Sequence, residues 1–148
     1  MDEYNFITGE NFDKRRKEIK NSQKKIIFSS NDDQLNRKVL EKEKIDILLL
    51  NQKDKKDFLK QRNSGFNHVL SKIAKKNNVT IGINLDEIIN AELKEKAEIL
   101  ARIKQNIKLC NKSKLKMKFT YKKNKRNIYD LKSLGLILKM PTWMTKKL

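Results

Sequence analysis

Apolar residues recur along this chain in two alternating periods. Tyr4 to Thr8 predicts a short strand, and the charged stretch from about Asp13 to Asn21 a helix. Ile26-Ile27-Phe28 predicts a buried strand, after which Asn31-Asp32-Asp33 offers cap chemistry to a helix carrying Leu35 and Val39. Ile45 to Leu50 predicts another buried strand. Ser64 reads as the N-cap of a clearer helix, in which Phe66, Val69, Leu70, Ile73 and Ala74 form one apolar stripe that Asn77-Asn78 ends. Val79, Ile81, Ile83 and Leu85 alternate as a strand. A long helix is expected from about Glu92 to Lys112, with Leu93, Ala97, Leu100, Ile103, Ile107 and Cys110 as its core face. Leu115, Met117, Phe119 and Tyr121 give the last strand, and a helix with Leu131, Leu134 and Leu138 precedes Pro141. The order βαβαβαβαβα predicts an α/β fold with a mainly parallel sheet.

Length and composition sharpen this picture. The 148 residues suit a single domain over 1–148, and one proline and four glycines leave no linker to divide it. Hydrophobic residues make up 37% and charged residues 36%, against typical values of about 45–50% and 25%, so the core is thin and the surface densely charged. The net charge is +18, and it is lopsided. Residues 1–74 carry 17 basic and 12 acidic side chains, residues 75–148 carry 19 and 6, and no acidic residue lies between Glu98 and Asp130. A surface that repels itself this strongly calls for a polyanionic partner.

Several chemistries fall away. No apolar run reaches the roughly 18 residues of a membrane span, and the N-terminus is acidic where a signal peptide is basic. One cysteine, Cys110, forms no internal disulfide, which points to a reducing, cytoplasmic setting, and one histidine, His68, excludes most zinc sites. His68 reads as a partly exposed polar residue, Cys110 as a small core residue, and Asp32-Asp33 as a helix cap. Nothing assembles a catalytic centre, and no glycine-rich phosphate loop is present.

The basic residues are more informative. Arg102, Lys108 and Lys112 fall on a flank of the long helix, and Lys116 and Lys118 alternate with Leu115, Met117 and Phe119 in the last strand, giving it one cationic face. Lys122, Lys123, Lys125 and Arg126 follow in the next loop. Helix and strand together are expected to form one continuous surface facing a nucleic acid, with strong salt dependence. A solvated edge strand protected by lysines is the alternative. Lysines outnumber arginines 30 to 6, favouring backbone and shape recognition over base reading. Ser64, opening its helix beside Lys60 and Arg62, is a further candidate anion site.

Residues Arg62 to Ala74 resemble the Arg-Asp-Ser-Gly-…-Val-Leu-Ala signature of archaeal ribonuclease P protein component 3, the 30-kilodalton subunit family. Val79 to Asn84, Leu100 to Cys110, and Asn127-Ile128-Tyr129-Asp130-Leu131 resemble segments that follow in that family, so the resemblance spans about Lys24 to Met140. Asn63 stands where the family carries an acidic residue, and the basic Tyr121 to Arg126 replaces a small-residue segment. The resemblance implies a TIM-like barrel, here shortened or incomplete, since a full barrel needs about 250 residues. It also implies a non-catalytic subunit of ribonuclease P, the endonuclease whose RNA, with magnesium, removes 5′ leaders from precursor tRNA. The partners implied are ribonuclease P RNA and an RRM-like sister subunit in a 2:2 heterotetramer, with no cofactor or metal held by the protein. A ribosomal or general RNA-binding protein is the alternative. A metal-dependent phosphoesterase barrel fits less well, because one histidine does not furnish its ligands.

Overall fold

The computed structural model describes residues 1–148. The first half contains β1 (Tyr4–Thr8), α1 (Phe12–Asn21), β2 (Lys25–Ser29), α2 (Asp33–Lys42), β3 (Ile47–Leu50) and α3 (His68–Lys76). The second contains β4 (Thr80–Asn84), a short α4 (Leu85–Asn90), the long α5 (Leu93–Ser113), β5 (Met117–Thr120), α6 (Ile128–Ile137) and α7 (Thr142–Thr145). The expected alternation is present, with α4 and α7 added. Helix α4 begins where a strand end was expected at Leu85, because the Asn84 side chain accepts the Glu87 N–H and caps a new turn.

All five strands are parallel and pair in chain order, β1-β2-β3-β4-β5. Parallel crossovers are right-handed, so an order that never reverses lays every helix on one side of the sheet. On that side Ile7, Phe28, Leu48, Ile81, Ile83 and Phe119 meet Val39, Leu40, Leu70, Ala74, Ile103 and Ile107 from the helices in the main core. The other face carries Tyr4, Phe6, Ile27, Ile47 and Leu49, with Gly82 and Lys118 in register beside them. This face is concave. Five flat strands would hold β1 and β5 about 19 Å apart, yet Lys118 Nζ on β5 lies 3.4 Å from the Tyr4 hydroxyl on β1. The sheet is therefore a rolled arc of five consecutive βα units, the TIM-like arrangement. Gly82 permits the roll: a Cβ there would stand 2.9 Å from Ile47 Cγ2 and 3.1 Å from Leu49 Cδ1.

Two helices depart from expectation. Helix α3 starts at His68, capped by Asn67, whose Oδ1 accepts the Leu70 N–H at 2.9 Å. Ser64 is not a cap, Phe66 is buried ahead of the helix, and Val69 is 50% exposed. In α5 the buried stripe is Ile99, Arg102, Ile103, Asn106, Ile107 and Cys110, whereas Leu93 is 93% exposed. Apolar residues alone point to a face that includes Leu93, whereas the buried one includes two polar side chains. Arg102 occupies the buried face because the polar loop after β3 packs there, with Asp57, Gln52 and Lys55 accepting from its guanidinium.

Candidate nucleic-acid interface

In barrels of parallel strands, loops at the carboxyl ends of the strands carry function. Here the two long ones, residues 51–67 after β3 and 121–127 after β5, hold seven of the predicted RNA-binding residues: Lys60, Arg62, Ser64, Lys122, Lys123, Lys125 and Arg126. Both loops are fixed from beneath by α4. The Glu87 carboxylate accepts the N–H groups of Gln52 (2.8 Å) and Lys53 (3.3 Å). The neighbouring Asp86 accepts those of Lys122 (2.7 Å) and Asn124 (2.9 Å), and the Asn124 side-chain amide as well. Burial raises the Glu87 carboxyl above its usual range, the amide bonds offsetting it only in part. Burial also acts to raise Asp86, but there the amides of Lys122 and Asn124 outweigh it and hold the group low. These carboxylates act as brackets for basic loops.

Arg102 completes the bracing, and in doing so leaves the interface. Its guanidinium was expected on the RNA-facing flank; instead it is 3% exposed. Its Nε donates to Asp57 Oδ1 at 3.0 Å, and the terminal nitrogens donate to the carbonyls of Gln52 (3.1 Å) and Lys55 (2.7 Å). Three acceptors in one loop match the planar fork of an arginine. The Arg102 bond, together with the Asn63 N–H, holds the Asp57 carboxyl below its usual range. Asp57 also pairs with Arg62 at 3.2 Å, so Arg62 sits at the rim with a counterion. Ser64 is the second correction: at 1% exposure, outside the helix and beneath the loop, it is out of reach of an anion in solvent.

The remaining cations are accessible. Lys60, Lys108, Lys112, Lys116, Lys122, Lys123, Lys125 and Arg126 are exposed and Lys118 half-buried. None of these nine has an ion-pair partner: all six ion pairs involve a cation in residues 1–62 except that of Arg102. The expected continuous helix-and-strand surface is divided in two. Lys108 and Lys112 lie on the outer layer of helices, whereas Lys118, in register with Gly82, lies on the concave face. There Lys118 Nζ stands 5.4 Å from the Tyr4 ring and Lys122 Nζ 4.9 Å from the Phe6 ring. The pairing of these lysines with β1 aromatics escaped the sequence. Tyr4 and Phe6 share the parity of a strand face, but only the roll of the sheet brings β1 to β5.

Elsewhere chemistry is sparse. His68 is exposed, and burial pushes the Cys110 thiol up to about 12. Asp32 caps α2 through the Gln34 N–H, and Asp33 pairs with Lys55. No three His, Cys, Asp or Glu side chains converge to hold a metal ion, and no helix is long and apolar enough to cross a membrane.

No protein-family model matches the chain. It is 29% identical over 115 residues to ribonuclease P protein component 3 of Methanothermobacter thermautotrophicus, a match covering 78% of this chain and 44% of that protein. It is 30% identical over 100 residues to ribonuclease P protein component 3 of Methanococcus vannielii, covering 68% of this chain and 41% of that one. The chain thus spans less than half the length of these curated relatives. Its fold matches a chain in the cryo-EM structure of archaeal ribonuclease P with mature tRNA at a TM-score of 0.78 and 25% identity, over 97% of this chain and 62% of that one. In sequence this chain is similar to ribonuclease P protein component 3, and in fold to a chain of archaeal ribonuclease P.

Proposed function

We propose that the chain is a protein subunit of ribonuclease P, binding the enzyme's RNA and bracing it for removal of 5′ leaders from precursor tRNA. The observation that carries this reading is the set of nine unpaired cations on a fold similar to a chain of that ribonucleoprotein. Lysines at the carboxyl-end rim and along concave β5 neutralise phosphates and release condensed counterions. The hydrolysis belongs to the RNA and its magnesium. The carboxylates at the mouth are engaged in holding loops, which supports a scaffolding role for this chain. An RRM-like sister subunit is its expected protein partner. The test is co-purification of the tagged chain from the cells that make it: ribonuclease P RNA should be enriched with it. Enrichment of ribosomal RNA instead would favour a ribosomal role.

A further inference from the structure

At the carboxyl ends of β1 and β5 the concave face opens into a cleft of about 140 Å³. Its apolar walls are Phe6, Leu49 and Tyr121, its polar walls include Asn51 and Asn84, and Lys122 stands at its edge. We propose that this cleft seats one unpaired nucleobase of a single-stranded RNA segment. The inference rests on the RNA-binding reading above and narrows it to a substrate class and a place.

Three features support it. The volume is about half the lower limit of a small-molecule pocket, roughly 300 Å³, so it suits one planar base while the sugar and phosphate stay outside. The lining combines two aromatic side chains with amides, the pairing by which proteins hold unstacked bases and read their edges. Asn84 Nδ2 donates to Asn51 Oδ1 at 2.9 Å, and Asn84 Oδ1 accepts the Glu87 N–H, so the pair is locked. The Asn51 amide nitrogen has no partner in the protein and is free to donate to a base oxygen or ring nitrogen. Finally, the ammonium of Lys122 lies 4.9 Å from the Phe6 ring with no carboxylate partner. A base stacking on that ring would displace the exposed Lys122 side chain, and the freed ammonium would reach the adjoining phosphate. Asp86 also lines the cleft, but its oxygens are satisfied by the Lys122 and Asn124 amides. A duplex, with its bases stacked, offers nothing to insert.

The test compares binding of a short oligouridylate and of an RNA duplex of equal length by fluorescence anisotropy. Phe6→Leu keeps the apolar volume and removes the aromatic ring, and Tyr121→Leu removes the second aromatic ring of the lining. Each should weaken oligouridylate binding about five- to hundredfold, the range for one lost base stack, and leave duplex binding within about twofold. If Phe6→Leu lowers the thermal midpoint enough to blur the comparison, Tyr121→Leu and photo-cross-linking of 5-iodouridine RNA to the unaltered chain carry the test. The cross-link is expected on Phe6 or Tyr121. Equal effects on both RNAs, or cross-links confined to other peptides, would overturn the base seat and leave the RNA-binding reading standing. Failure of the unaltered chain to bind either RNA would overturn both.

Discussion

Replacing Arg102 by methionine separates a structural arginine from an RNA-contacting one. Methionine keeps an unbranched apolar stem in the same slot but withdraws the guanidinium from Asp57 and from the carbonyls of Gln52 and Lys55. Hydrogen bonds from a charged group contribute about 1.5–3 kcal/mol each. Only the two carbonyl bonds enter the sum, because the Asp57 carboxylate faces water. The lower value applies, since freed loop carbonyls can turn to solvent, giving a loss of about 3 kcal/mol. In a chain of this size each kcal/mol moves the thermal midpoint by about 2–4 °C, so Tm should fall by about 6–12 °C. Circular dichroism gives the midpoint, and hydrogen exchange should show the amides of residues 53–62 losing protection. The salt dependence of RNA binding supplies the second readout. A lost phosphate contact lowers the slope of log K against log salt by about 0.9, and the buried position of Arg102 predicts no change. A Tm loss below about 2 °C, or a slope reduced by about one unit, would refute this reasoning.

Gly82→Val should destabilise the fold by about 1–3 kcal/mol, because its first added carbon meets Ile47 at 2.9 Å and Leu49 at 3.1 Å; an unchanged urea midpoint would show that the concave face has room. The Cys110 thiol, pushed up to about 12 by burial, should resist a disulfide reagent at mildly alkaline pH and react once the chain is unfolded in urea. Asp57 and Asp86, held below the ordinary 3.8, contribute stability that is present above that pH and lost as pH falls through their lower folded values. Glu87, raised above 4.5, acts in the opposite sense: its charged form is disfavoured in the fold, and acid removes that penalty. Acid destabilisation should therefore begin as pH falls through the ordinary aspartate value near 3.8 and continue below it, and Asp86→Asn should make that limb of the stability–pH curve shallower.

The fold was largely legible because its signals are local. Strands β1 to β5 coincide with apolar runs, and α2 and α5 with capped or periodic segments. What escaped depends on contacts far apart in sequence. Asn67 rather than Ser64 caps α3 because the loop ahead of it is tied down, its Ser64 carbonyl accepting from Gln52 and its Arg62 carbonyl from Gln105. Arg102 looked like one more surface cation until a loop 45 to 50 residues earlier in the chain closed over it. Charge composition located the basic half of the chain correctly. It could not divide the basic residues between the outer helices and the concave face, which is a matter of sheet direction and roll.

The most direct test of the central claim is a salt titration of RNA binding for the full chain and for the triple change Lys116→Gln, Lys118→Gln and Lys122→Gln. If the concave face and its rim hold phosphates, the slope of log K against log salt should fall by roughly two to three units, with circular dichroism unchanged. An unchanged slope in a folded triple variant would contradict the account and put the RNA on another surface.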